Sequence, residues 1–323
     1  MAAGRLHQQL GTRDRVEREG GNIDVFGAIL QLEVPLLLRP LKGLLGAYLR
    51  EPTPGVLVTT QRSLSIQRFT AAHELGHFRL NHEPSLDDES ILRRSPFVAQ
   101  PGYDLQEVEA DAFAVAFMIP RWLIAWHWKR QGWHPDDFND PHFVYQLSLR
   151  LGASFEATWR TLQRYNLITA RTAHNFGKVQ VRGLKEAVLE DYRPPDYLRD
   201  VWLLTERDAG TSINGSRHDL FVLRLQEHSG GGYLWNIEEL KRSGFAVVHD
   251  AREAVDAEGI GSPTFRRVTA ILKEAQRGRV FLDECRPWQS SDPLNRLELD
   301  YDLTGPEEEG LSRAERRRLL EAA

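Results

Sequence analysis

Two histidines four positions apart, with a glutamate directly after the first, stand at His73-Glu74-Leu75-Gly76-His77. On a helix, positions i and i+4 share a face one turn apart, so both imidazoles can reach one ion. Glu74 then points at the open side of that ion and can take a proton from the water the ion activates. Zinc lowers the pKa of such a water towards ~7, which makes hydroxide available near neutral pH. Two surface histidines beside a helix-forming glutamate would give the same letters. Ala71, Ala72 and Leu75, however, make the rest of the helix apolar, as suits the floor of a cleft. The pattern predicts a hydrolytic zinc site with His73 and His77 as ligands and Glu74 as general base.

A catalytic zinc takes a third protein ligand and keeps one position open. The segment Leu105-Gln106-Glu107-Val108-Glu109-Ala110-Asp111 offers candidates. Glu107 and Asp111 share a helix face, so Glu107 can bind zinc while Asp111 orients a ligand histidine through its second ring nitrogen. Glu109 is rotated by ~200° from Glu107 on an ideal helix, so both glutamates do not reach one ion. Glu107 is preferred because it leaves Asp111 a matching role, and Glu109 stays as the alternative ligand. Whichever glutamate does not bind is a solvated helix charge. His82 has two readings: a further ligand or transition-state donor, or a helix-end histidine that suits the C-terminal dipole. His127 and His134 sit among Trp126, Trp128 and Trp133, an aromatic density typical of a core or interface. Tyr103 and Tyr145 are candidate oxyanion donors that the sequence does not place.

These residues need a helix over about residues 66–81 and a second from about 104 to Pro120, joined by a polar loop at 84–102. An entry helix and short strands at 34–39, 44–49 and 55–59 precede them, punctuated by Pro and Gly. Helical patterns follow at 121–130, 141–151 and 154–165. The segment 144–158 has the form of a helix-turn-helix, with Gly152 in the turn and Ser154 capping the second helix, on which Arg160 and Arg164 lie one turn apart. It is either a DNA-reading element or, the favoured view, a helical hairpin that closes the core. From about residue 201 the character changes to strands, at 218–225, 246–249, 265–271, 279–283 and 294–303, with Gly-rich turns at 229–232 and 259–263. That spacing predicts an all-β second domain. The division expected is 1–175 for the first domain, 176–199 for a linker containing Pro194-Pro195, 200–304 for the β-domain and 305–323 for a charged tail ending in a solvated helix.

At 323 residues the chain is long enough for two cores, and 41% hydrophobic with 27% charged residues is ordinary for a soluble globular protein. A formal net charge of −5 gives no global basic field to draw nucleic acid, although it does not exclude a local patch. One cysteine, Cys285, rules out an internal disulfide and suits a reducing cytoplasm. The first 21 residues are polar and lack the apolar core of a secretory signal. The longest apolar stretches, 34–38 and 112–119, are too short to cross a bilayer, so a cytoplasmic protein is expected.

Arg68-Phe69-Thr70-Ala71-Ala72-His73-Glu74-Leu75-Gly76-His77, then Glu107-Val108-Glu109-Ala110-Asp111-Ala112-Phe113-Ala114 and Phe117-Met118-Ile119-Pro120, resembles the ImmA/IrrE family of zinc peptidases. The family pattern reads roughly RFTxAHExGH, ExEA(N/D)xFA and an LLMP-like corner, where Phe-Met-Ile-Pro stands here. The resemblance covers about residues 20–170. It implies an α+β zincin-like metallopeptidase domain, His73, His77 and Glu107 as ligands, and Glu74 as general base. It also implies a substrate, a helix-turn-helix repressor whose cleavage switches on a stress or mobile-element response; composition and spacing do not show this.

Residues 200–304 resemble chagasin-type cysteine-protease inhibitors, an immunoglobulin-like sandwich with three loops at one end. The elements that match are Gly232-Tyr233-Leu234-Trp235 and Arg286-Pro287-Trp288. The first loop departs: Gly230-Gly231-Gly232 stands where threonines normally enter a protease cleft. That departure argues against inhibition and for a sensor, a substrate platform or an intramolecular lid. A family peptidase with an added domain further resembles the CBASS-associated antiphage members, which act on a partner repressor. By the same resemblance single-stranded DNA is a candidate activator, with Arg313, Arg316, Arg317 and Arg318 either contacting it or forming a solvated helix face. Cys285, just before the Arg-Pro-Trp loop, is either a small buried hydrophobe or an inhibitory zinc ligand supplied by a folded-back β-domain.

Three whole-protein readings follow. The first is a regulated, repressor-cleaving zinc endopeptidase. The others are a protease-inhibitor-like module on a non-catalytic zinc scaffold and a DNA-binding regulator. Glu74 favours the first, because a structural zinc has no need of it and usually has four protein ligands.

Overall fold

Glycines cut the expected entry helix into α1 (Ala2–Gln9), α2 (Thr12–Glu19) and α3 (Val25–Gln31). Gly20 ends α2 at φ 70°, and a Cβ there would stand 2.7 Å from Thr211 Cα, so both its conformation and its close neighbour exclude a side chain. The computed structural model of the chain describes residues 2–88, 104–253 and 264–322. Three strands follow the helices: β1 (Leu36–Arg39), β2 (Leu44–Leu49) and β3 (Gly55–Thr59). Leu36 and Leu38 of β1 point into the core and Leu37 points out, as a strand with one buried face requires. Next come α4 (Leu64–Leu80), β4 (Ser85–Asp88) and α5 (Leu105–Met118). The segment read as a polar loop at 84–102 thus opens with a strand; its remainder from residue 89, and Tyr103, lie outside the described residues.

Five helices continue the chain: α6 (Arg121–Gln131), α7 (Pro141–Leu151), α8 (Phe155–Arg164), α9 (Ala170–Phe176) and α10 (Val181–Leu189). The last lies in the stretch expected to be a linker. It is not a free linker: Val188 and Leu189 of α10 share a small core with Val201, Leu220 and Val222.

The C-terminal half is built from β5 (Val201–Leu204), β6 (Thr211–Asn214), β7 (Leu220–Glu227), β8 (Leu234–Trp235), α11 (Glu238–Arg242), β9 (Phe245–Glu253), β10 (Thr264–Leu272), β11 (Arg277–Cys285) and β12 (Asn295–Asp302). It forms two four-stranded sheets, in the orders β5-β7-β10-β9 and β6-β12-β11-β8. Phe221, Leu223 and Phe245 of the first meet Val280, Leu299 and Tyr301 of the second around a cavity of about 20 Å³. A β-rich unit was expected from the spacing of strand-like segments; β5, β6 and β8 were not, because strands of two to four residues are too short to show a period. The expected turn at 259–263 lies outside the described residues.

The α7–α8 hairpin is the segment with helix-turn-helix form, and its first helix is docked on β5. Val201 N–H donates to Tyr145 Oη at 2.9 Å, and Gln146 bonds both Val201 O at 2.9 Å and Leu203 N at 2.8 Å. Arg150, buried, donates to both oxygens of Asp208 at 2.8 and 3.0 Å. That contact spends the polar face of α7 on the β-rich unit.

The tail returns to the first unit. Its strand β13 (Gly310–Leu311) pairs antiparallel with β1, completing a sheet ordered β13-β1-β3-β2-β4, and α12 (Arg313–Glu321) follows with no buried residue. Among the described residues no helix is long and apolar enough to cross a membrane.

Candidate metal centre

Helix α4 carries the histidines and crosses the sheet beside β2 and β3. It ends at Asn81, which takes the left-handed conformation at φ 57° and returns its N–H to the carbonyls of His77 and Phe78. The reversal folds His82 back over the helix end, where its N–H bonds His77 O at 3.0 Å. Gly76 faces α5: a Cβ there would lie 3.1 Å from Ala110 Cα and 3.2 Å from Ala110 O. Without that side chain the helices approach closely and α5 lays Glu107 and Asp111 over the two histidines. Gly46 of β2 does the same for the base. Its missing Cβ would be 2.5 Å from Glu74 Oε1 and 2.5 Å from Thr70 Cγ2.

His73 Nε2 lies 2.9 Å from His77 Nε2, 3.2 Å from Glu107 Oε2 and 3.3 Å from Asp87 Oδ2. His77 Nε2 lies 3.5 Å from Glu107 Oε1. One atom from each of His73, His77, Asp87 and Glu107 falls within 4.8 Å of the others. Ligands of a tetrahedral ion with bonds of ~2.0–2.2 Å stand ~3.3–3.6 Å apart, so the carboxylate–imidazole separations suit zinc, while the two imidazoles stand closer and would part slightly around an ion.

The second ring nitrogens are committed elsewhere. His73 Nδ1 donates to Asp111 Oδ1 at 2.8 Å. His77 Nδ1 meets His82 Nδ1 at 3.1 Å, and His82 Nε2 meets Glu109 Oε2 at 3.1 Å. The proton assignment that satisfies this chain has His77 donating to His82 and His82 donating to Glu109. It leaves bare Nε2 atoms on His73 and His77, facing each other, an arrangement that calls for a cation between them.

The carboxylates around His73 favour positive charge at this point. Burial opposes a charge on His73, but Asp111, Asp87 and Glu107 outweigh it and raise its pKa well above the ordinary value. Burial and then the His73 charge push His77 down to about 4. Glu74 is raised well above the carboxylate range by burial and then by Asp87. Burial pushes Asp87 up too, but the His73 ring facing it at 3.3 Å prevails and holds it below the ordinary range. Both Glu74 oxygens and Asp87 Oδ2 are buried without a hydrogen-bond partner. Buried carboxylate oxygens with no donor are costly unless a cation compensates them. The donor set therefore fits a zinc ion.

Of the residues singled out from sequence, His73, Glu74, His77, Glu107 and Asp111 come together here. Glu109 does not join the four-residue group; its half-exposed side chain faces His82 instead. Cys285 lies buried at the end of β11, backbone-paired with Leu234 of β8, and is also outside the group. Tyr145 sits at the α7–β5 contact. His127 is a core histidine whose Nε2 donates to Gly21 O at 3.1 Å, and exposed His134 caps the 3-10 turn Pro135–Asn139. Arg313 folds back onto Gly305 O at 2.9 Å, and Arg318 pairs with Glu315. Asp87 went unnoticed in the sequence. Its strand reads the wrong way round, with Leu86 70% exposed and Asp87 1% exposed.

Residues 32–163, which include His73, Glu74, His77, Asp87, Glu107 and Asp111, match the Peptidase_M78 family model, described as an IrrE N-terminal-like domain. That is a zinc metallopeptidase-like family. No curated protein matches the chain. Among solved structures, the cysteine protease inhibitor EhICP2 from Entamoeba histolytica is 21% identical, covering 33% of this chain and 99% of its own, with a TM-score of 0.29. The solution structure of amebosin is 20% identical, covering 32% of this chain and 96% of its own, with a TM-score of 0.25.

Proposed function

We propose that the protein is a zinc-dependent endopeptidase that cleaves a helix-turn-helix transcriptional repressor in the cytoplasm. Cleavage would induce a stress or antiphage response, under control of the β-rich unit. The observation that carries the catalytic reading is Glu74, an unpartnered carboxylate buried beside His73, His77 and Glu107. A purely structural zinc has no use for it.

His73, His77 and Glu107 would hold the ion, which when bound supplies Lewis acidity towards a peptide carbonyl and eases deprotonation of water. Asp111 fixes the ring of His73, and His82 fixes that of His77. Glu74 takes the proton of the attacking water and delivers it to the departing amide nitrogen as the C–O bond forms and the C–N bond breaks. Its oxygens are available for this because no protein donor engages them. A recognition role for the β-rich unit is supported by its loops. Arg286 Nε donates to Gly231 O at 3.1 Å and stacks on Tyr233, while Trp288 is 75% exposed over Gly232. Single-stranded DNA is the proposed activator.

The test is cleavage of a candidate repressor by protein of known zinc content. About one zinc per chain is expected, lost in His73→Ala or His77→Ala. Glu74→Gln should keep the zinc and lose ~10²–10⁴-fold in rate. Full activity in Glu74→Gln would sink the mechanism, and equal rates with and without single-stranded DNA in low salt would remove that activator.

A further inference from the structure

We infer that Asp87 is a fourth protein ligand, so that the chain itself plugs the position a substrate needs. The inference rests on the zinc reading above. Asp87 Oδ2 stands 3.3 Å from His73 Nε2, almost the separation of Glu107 Oε2 at 3.2 Å. With all four ligand atoms within 4.8 Å of one another, that separation is compatible with a place on the same ion. The side chain is buried, and Oδ2 faces the His73 ring without forming a well-made hydrogen bond. With Leu86 turned out to solvent, β4 places a carboxylate where a strand normally buries an apolar residue. A buried carboxylate is retained at such a position only where something positive meets it.

Four protein ligands describe a closed site, whereas hydrolysis needs an open one. Asp87 must then withdraw before a peptide carbonyl can approach. The element that carries it is suited to that. Strand β4 has four residues and, among the described residues, lies at the sheet edge and pairs only with β2, where the register shifts between Leu44 and Gly46 opposite Asp88 and Asp87. Short, one-sided, irregular pairing opens at lower cost than the strands in the sheet centre.

The test uses the full-length protein stripped of metal and reloaded with Co²⁺, whose visible spectrum reports coordination. Wild type should bind one Co²⁺ per chain in a form that acetohydroxamate leaves unchanged. Asp87→Ala should bind Co²⁺ at least ~10-fold more weakly and change its spectrum when hydroxamate is added. Asp87→Cys should show a thiolate–cobalt charge-transfer band, which arises only if side chain 87 reaches the metal. A folded, cobalt-loaded Asp87→Cys protein without that band, or an Asp87→Ala protein that matches wild type in affinity and hydroxamate response, overturns the assignment and leaves the three-ligand site standing. A wild-type chain that binds neither Co²⁺ nor Zn²⁺ overturns the zinc reading and this inference together.

Discussion

A histidine binds a metal well only when its other nitrogen is held, and the two ligand histidines here are held differently. His73 leans on a carboxylate, Asp111, at 2.8 Å, whereas His77 leans on a second imidazole, His82, that in turn leans on Glu109. A carboxylate behind an imidazole raises its basicity and fixes its tautomer, so Asp111→Ala should weaken zinc binding ~10–100-fold. Glu107→Gln, at a ligand, should cost at least as much. Glu109→Gln acts through an intervening ring and should cost clearly less than either. Competition with a chromogenic chelator measures all three affinities. A loss in Glu109→Gln equal to that in Glu107→Gln would return Glu109 to the ligand set. The residue types and their spacing made this arrangement legible from His73 to Asp111. His82 kept two readings because only the reversal at Asn81 decides what a histidine five residues past His77 touches.

The elements are brought to contact distance by two absent side chains. Gly76 lets α4 approach α5, and Gly46 lets β2 approach Glu74. Gly76→Ala would place a methyl group 3.1 Å from the α5 backbone, and a backbone yields less readily than a side chain. The helices must part by a few tenths of an ångström, which should cost ~1–3 kcal/mol in unfolding free energy and weaken zinc binding as Glu107 moves off. Denaturant melts with and without zinc measure both; an unchanged midpoint and affinity would show that this contact does not set the site. Elements with a clear period were legible: β2 and β3 were anticipated residue for residue, and α4 within two residues at its start. Those that failed lacked the signal. Strand β4 inverts the usual alternation, α10 has Gly183 in its first turn ahead of Pro194-Pro195, and β13 is two residues joined by backbone alone. The metal atom set was legible for three of its four members, and the fourth sits on the inverted strand.

At the scale of the molecule, one buried side chain joins the segment that leaves the β-rich unit to the helix of the metal site. After β12 the chain leaves the sandwich, and within five residues it reaches Gln67, six positions before His73 on α4. Gln67 is fully buried; its amide donates to Thr59 O and Glu307 O at 3.1 Å each and accepts from Glu307 N at 2.7 Å. It pairs with the tail as a neighbouring strand would. Beyond it Glu307 Oε2 accepts from Arg313 N at 2.9 Å, and β13 closes the edge of β1. The charged tail, expected to end in a solvated helix, is thus seated on the first unit before that helix begins, which offers a route for load from the β-rich unit to α4. Gln67→Leu keeps the bulk and removes every one of those bonds, leaving buried backbone groups of Glu307 and Thr59 without partners. At ~1–3 kcal/mol for each group left unsatisfied, the loss should reach ~2–4 kcal/mol. Amide exchange at Gly310 and Leu311 should accelerate together with that at the start of α4, because one side chain ties the two. Faster exchange confined to residues 306–312, with α4 as protected as in wild type, would show instead that the tail is merely parked on the sheet and carries no load to the metal site.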